Sequence, residues 1–249
     1  MASIGAVRNM AVAAAVVFGC STSAALAVPT FFVAPNAHPA TSSTLDTAWQ
    51  AAVGGFTEFN FDAFANGSTV SALTAGSLGI SIGLQSPGNA SGAEIFFGAY
   101  AGGGGILGTV SGGALLNRNA GSQYGEMTFG FSSPVQGFGA WIFDNNLSTP
   151  ESFQLSVTEA DTAVTTSAIL ESGNGLPHFV EGFIGVTSLL GITDVSIQLL
   201  DGTTGNRVNN RFFEVDHVQV ATAIAEPGTL ALFGLGLAGL GFARRRKAA

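Results

Sequence analysis

The sequence predicts an all-β protein, a two-sheet antiparallel β-sandwich of the jelly-roll type. Short stretches of alternating apolar and polar residues recur between Gly, Asn, Ser and Pro, as Phe153, Leu155 and Val157 show with the polar residues between them. The composition agrees, since the chain has 35 Gly and 20 Phe and only 10% charged residues. Residues 56–222 contain no convincing helical period of useful length.

The predicted strands lie in one domain, residues 56–222, preceded by a leading segment, residues 28–55, with a helical turn expected at 45–53. Four aromatic side chains are expected to fill the core between the sheets, namely Phe129, Phe131, Trp141 and Phe143. The candidate strands cover residues 56–62, 79–84, 94–100, 125–131, 135–143, 152–159, 163–170, 179–185, 194–200 and 212–220.

Residues 1–27 have the pattern of a secretory signal peptide, so signal peptidase is an expected partner. One cation, Arg8, precedes an apolar stretch at 10–19, and Ala25 and Ala27 form a small-x-small exit. An alternative is lipoprotein processing at Cys20, the only cysteine. Removal of residues 1–27 leaves no cysteine, hence no disulfide and no thiol nucleophile.

Residues 223–249 predict a membrane segment. Residues 229–243 contain no charge, and as a helix they measure about 22 Å at about 1.5 Å per residue. A helix over about 228–243 is therefore marginal for a bilayer core of about 30 Å unless flanking side chains reach the interface. The basic tail that follows is expected to stay cytoplasmic; it comprises Arg244, Arg245, Arg246 and Lys247.

Glu226-Pro227, an apolar helix and a terminal basic cluster, together with an N-terminal signal, resemble the PEP-CTERM sorting signal of Gram-negative bacteria. The resemblance covers about the last 25 residues, with Ala225 where the family usually has a first proline. It implies that an exosortase cuts near the motif and passes the protein from the inner membrane to the cell surface or an exopolysaccharide-rich matrix. A permanent single-span anchor is the alternative.

The charge distribution excludes nucleic acid as an expected partner. Between residues 28 and 227 there are three arginines and no lysine against all sixteen carboxylates. Affinity for phosphate comes mainly from Lys and Arg. A cation or a neutral polymer such as an extracellular polysaccharide fits better.

Glu214 and Asp216 are the clearest pair of chemically active side chains. Alternate residues of a strand share a face, so the two carboxylates are expected side by side, where they suit a structural calcium together with a distant acid such as Glu58 or Asp62. The plainer interpretation, which the pattern favours, places them at a solvated sheet edge, where charges discourage edge pairing.

The same strand is similar to the Glu-x-Asp-x-x-Glu strand of one family of retaining β-glucanases. In that family the first Glu is the nucleophile and the last is the acid/base. Here Gln219 occupies the last position and cannot supply the proton. We therefore expect no enzyme, and a secreted glycan-active enzyme using Glu214 and Asp216 is the alternative.

A glycan contact is a further expectation, with Asp144 and Asn145 as polar groups and Trp141 or Tyr124 as the stacking plane. The spacing of the three histidines in the sequence is not that of a metal site, so His217 is expected at an ordinary surface or sheet edge.

The overall prediction is an exported, non-catalytic surface or matrix protein, structural or adhesive, without a cofactor unless calcium binds.

Overall fold

The computed structural model of this chain describes residues 28–35, 44–85, 90–97, 113–119, 122–144, 151–160, 165–171, 180–201, 203–208 and 213–222. Its elements in chain order are β1 Thr30–Pro35, α1 Thr44–Val53, β2 Thr57–Phe59, β3 Thr69–Val70, β4 Ala72–Ala75, β5 Leu78–Gln85, β6 Ala90–Ser91, β7 Ala93–Phe97, β8 Gly113–Leu116, β9 Arg118–Asn119, β10 Ser122–Gln123, β11 Glu126–Asp144, β12 Glu151–Glu159, β13 Thr165–Glu171, β14 Val180–Asp201 and β15 Glu214–Thr222. All of the strand pairs are antiparallel. The all-β antiparallel prediction is confirmed.

Of the strands in the described ranges, thirteen share one hydrogen-bonded network, built on the long antiparallel pair β11 and β14. Near residues 126–131, β11 pairs with β5, and from 135 onward it pairs with β15. We call the first region, with β4, β5, β12 and β13, the β5 half of the sheet. The second region, with β1, β2, β8 and β15, is the β15 half.

In both β11 and β14, the face of the strand whose side chains enter the core changes where the strand passes from one half of the sheet to the other. On β11 the pairing shifts between Gly130 and Gly137, at β-bulges. Odd-numbered residues enter the core before this point and even-numbered ones after it. Phe129 is therefore in the core and Phe131 packs partly against it, but the prediction for Trp141 and Phe143 is wrong, because they lie in a second cluster on the opposite side. The sequence also predicted two strands here, 125–131 and 135–143, with a break at 132–134. The structure has one continuous strand, and the bulges lie within it.

The two halves enclose a common core. Phe153 on β12 of the β5 half contacts Phe213, the residue directly before β15, with ring centroids 5.3 Å apart and ring planes at 69°. Phe129 and Phe138, on the two sides of the β11 bulge, lie 5.1 Å apart. The architecture is therefore similar to a β-sandwich whose halves share two long strands.

Helix α1 confirms the helical turn expected at 45–53. It packs on the outer side of the β15 half, where its fully buried Trp49 donates from Nε1 to the carbonyl of Val186 at 3.1 Å. Gly137 and Gly185 leave room for the helix: a Cβ on Gly185 would lie 2.7 Å from the indole of Trp49, and one on Gly137 would lie 2.7 Å from Val53. The leading segment thus contacts the sheet directly.

Within the described ranges, no helix is both long and apolar enough to cross a membrane. The expected signal peptide at 1–27 and membrane helix at 228–243 lie outside those ranges.

Candidate functional site

β15 places Glu214 and Asp216 inside the sheet. The strand pairs with β11 on one side and with β8 and β2 on the other. Glu214 is 7% exposed and Asp216 is fully buried. The interpretation as a solvated sheet edge is therefore wrong, because neighbouring strands satisfy both sides of β15.

A bulge at His217 decides which side chains share this face. His217 has a φ of 46°, and the pairing with β11 shifts from Asp216 opposite Trp141 to Gln219 opposite Gly139. The carboxylate of Asp216 accepts from the backbone N–H of His217 at 2.7 Å. As a result Gln219 joins Glu214 and Asp216 on the outer side, while Val218 enters the core.

Side chains from three elements meet at this bulge, and we call them the His217 cluster: Asp46 and Gln50 of α1, Glu58 of β2, and Asp216, His217 and Gln219 of β15. Glu58 holds two of them, since its Oε1 lies 2.8 Å from His217 Nδ1 and its Oε2 accepts from Gln219 Nε2 at 3.0 Å. Gln50 donates to Asp46 at 2.9 Å. Glu58, one of the two distant acids considered for a calcium site, thus contacts His217 and Gln219. The His217 side chain is only 19% exposed, so His217 is not an ordinary surface histidine.

The cluster shifts the pKa values of its members in opposite directions. The hydrogen bond with Glu58 raises the pKa of His217, and the same hydrogen bond lowers the pKa of Glu58. Burial raises the pKa of Asp46. A charged imidazolium beside a charged carboxylate is therefore the favoured state at mildly acidic pH.

Glu214 lies apart from this pairing and behaves differently. Burial, with a further contribution from the nearby Asp216 carboxylate, raises its pKa from 4.5 to about 8. The Glu214 side chain is consequently neutral at pH 7.

This geometry offers little to a substrate or a metal. Both carboxylates are buried, and Gln219 stands where the glucanase pattern needs an acid. Across the part of the chain that the structure describes, no group of three or more His, Cys, Asp or Glu side chains is arranged to hold a metal ion. The calcium expected at Glu214 and Asp216 gains no support from this arrangement.

The expected sugar-stacking plane is covered. Trp141 is 2% exposed, and its ring meets the edge of Phe183 at 5.5 Å; Tyr124 is 8% exposed. The backbone of Asp144 ends β11, and Asn145 lies outside the described residues. Trp141 therefore presents no ring face to a sugar.

Sequence reasoning missed α1 as a source of polar side chains for this site. The sequence predicted a helical turn at 45–53, but nothing in it indicates that Asp46 lies beside Gln219 of β15, because this contact joins residues far apart in the chain.

The sorting residues follow β15 directly. The strand ends at Thr222, and Glu226, Pro227, Arg244, Arg245, Arg246 and Lys247 lie beyond the described residues. A family model described as the PEP-CTERM protein-sorting motif matches residues 223–247. The chain contains a PEP-CTERM sorting motif. The PEP-CTERM motif marks a protein for export and membrane-associated sorting to the cell surface, and it is consistent with an exosortase substrate.

A solved structure titled "Crystal Structure Analysis of the K2 Cleaved Adhesin Domain of Lys-gingipain (Kgp)" is similar over 67% of this chain and 99% of that one, at 9% identity and a TM-score of 0.40. No curated protein matches the chain.

Proposed function

We propose that this PEP-CTERM protein is an exported, non-catalytic component of the cell surface or extracellular matrix, cut from the membrane by an exosortase. The observation that supports the proposal most strongly is the position of the motif. It begins at residue 223, immediately after the last residue of β15. A cut near Glu226-Pro227 would remove the apolar segment and basic tail and leave the core residues Val218 and Val220 in place.

The role of the folded body is structural or adhesive, and the β5 and β15 halves of its sheet form a sandwich of the jelly-roll type. Burial of Glu214 and Asp216, with Gln219 beside them, supports a body without catalysis. The PEP-CTERM segment spans the inner membrane transiently, with its four cations on the cytoplasmic side, and signal peptidase removes residues 1–27.

The Pro227→Ala variant, expressed in the native cells, tests the proposal. We expect it to remain in the membrane fraction at full C-terminal length, because the exosortase no longer recognises the site. Pro134→Ala, at an exposed proline within β11, is the matched control and should be processed like the wild type. Release of Pro227→Ala with the wild-type mass, or unchanged wild-type release from cells that lack the exosortase, would contradict the proposal.

A further inference from the structure

A groove of about 500 Å³ crosses the outer side of the β5 half, away from the His217 cluster. It runs over four neighbouring strands, β4, β5, β11 and β14. Its volume falls within the range of about 300–1,000 Å³ that is usual for small-molecule sites. The groove is open along its length, so it suits one part of a long polymer as well as a free small molecule.

Glycine forms the floor of the groove. Gly130 of β11 lies in register between Asp194 of β14 and Ser81 of β5. A Cβ at Gly130 would stand 2.7 Å from Ser81 Oγ and 3.3 Å from Asp194 Oδ1. The missing side chain therefore keeps the space between these two polar groups open, and any larger residue would close it.

The walls of the groove provide hydroxyl groups and one carboxylate. Ser81 donates to the Gly130 carbonyl at 3.2 Å, which leaves its oxygen as an acceptor. Ser132 accepts from the Gly79 N–H at 2.8 Å and keeps its own proton to donate. Asp194 is exposed, and no hydrogen bond or ion pair with another described residue engages its carboxylate.

The charge of the groove selects among ligands. None of the described residues that line it is Lys or Arg, and Asp194 is the one Asp or Glu among them. The body around it is acidic, with three arginines between residues 28 and 227 against sixteen carboxylates. Phosphorylated, sulfated and uronic acid polymers would be repelled. A neutral polyhydroxylated polymer fits, because adjacent hydroxyls can donate to the two carboxylate oxygens while Ser81 and Ser132 accept and donate.

We propose that this groove binds a neutral polysaccharide, with Asp194 accepting from vicinal hydroxyls of one sugar over the Gly130 floor. This inference rests on the proposed function, because the groove meets a polysaccharide only if the protein is exported to a polysaccharide-rich surface. It replaces the contact expected at Trp141, whose ring is covered. The proposed site binds through hydrogen bonds. Phe131, the one aromatic residue among the described residues that line the groove, is only partly exposed.

Affinity electrophoresis of the full-length chain tests the proposal. The gels contain the neutral polysaccharide fraction from the matrix of the producing cells, and parallel gels contain polygalacturonate as an anionic probe. We expect retardation by the neutral fraction alone. Asp194→Asn should weaken the association at least about tenfold, since a hydrogen bond to a charged group contributes about ten- to hundredfold in affinity.

Gly130→Ala is a second variant that fills the floor instead of removing a charge, and it should weaken binding to a similar extent. Glu94→Gln is the control, because it removes one carboxylate that is paired with Arg118 at 3.4 Å on the other half of the sheet. Thermal unfolding confirms that each variant is folded. Absence of retardation by the neutral fraction, retardation by polygalacturonate, or wild-type binding by folded Asp194→Asn and Gly130→Ala would overturn the inference. Binding is measured on unprocessed protein, so its failure is distinct from a failure of exosortase sorting.

Discussion

His217 Nδ1 lies 2.8 Å from Glu58 Oε1, although the two residues are 159 positions apart in the chain. The contact joins the three-residue strand β2 to β15, the strand that directly precedes the sorting motif. The Glu58 side chain is 37% exposed, so the pair is partly screened by solvent. It holds a local junction together and contributes modestly to the stability of the whole fold.

Glu58→Gln should lower the free energy of unfolding by up to about 1 kcal/mol at pH 5.5, as expected for a partly exposed ion pair. The contribution of His217, whose pKa is raised, is complete below its ordinary value of 6.5 and is lost as pH rises through the folded value. That of Glu58, whose pKa is lowered, is complete above 4.5 and is lost as pH falls through the folded value. The effect should therefore be largest between these limits and shrink at pH 8.5.

Urea unfolding at pH 5.5 and 8.5 measures this difference. Glu94→Gln is the matched control, because Glu94 is paired with Arg118 at 3.4 Å. Arginine side chains keep their charge at neutral and mildly alkaline pH, so the effect of this variant should be the same at both values. An equal effect of Glu58→Gln at the two pH values would show that His217 is not charged in this contact.

Glu214→Gln should make the free energy of unfolding less sensitive to a rise in pH. The folded pKa of Glu214 is about 8, above its ordinary 4.5, so the unfolded state releases the proton first. Wild-type stability should consequently fall between about pH 4.5 and 8, by up to about 1.4 kcal/mol per pH unit from this group. The variant lacks the titrating proton and should show a shallower fall in unfolding free energy over that range. Parallel pH profiles of the two proteins would contradict the burial of Glu214.

Trp49→Ala should destabilise the protein by about 3–5 kcal/mol, because a large buried ring is removed from between α1 and the sheet. Trp49→Phe keeps most of the ring volume but loses the hydrogen bond to Val186, so it should cost less. Denaturant unfolding, with α1 followed by hydrogen exchange, measures both. Equal and small costs for the two variants would show that α1 does not stabilise the folded sheet.

The sequence predicted the elements whose signal is local. The alternation of apolar and polar residues identified β12, in which residues 153–159 alternate between buried and half-buried positions. The helical turn expected at 45–53 corresponds to α1. Strands that are short or uniformly buried were not predicted. An example is β8, in which all four residues Gly113–Leu116 are buried and no alternation is visible. The strand β1 was also not predicted, because it lies within the leading segment, residues 28–55, where no strand was expected.

The errors at the candidate site have two physical sources, the β-bulges and the long-range pairing of the strands. A single extra residue at His217 moves Gln219 onto the face of Asp216, and the shifts within β11 move Trp141 out of the core. Alternate residues share one face of a sheet only within an uninterrupted strand, because a bulge shifts all later side chains to the other face. The partners of β15 depend on long-range pairing, which no local pattern encodes, so an apparent last strand became an interior one.

Intact mass spectrometry of the protein recovered from native cells and from their extracellular matrix shows directly whether an exosortase processes it. We expect a matrix species that starts at Val28 and ends near Glu226, without the apolar segment and the four terminal cations. A matrix or surface species that retains the chain through Ala249 would contradict exosortase sorting and would indicate a permanent membrane anchor.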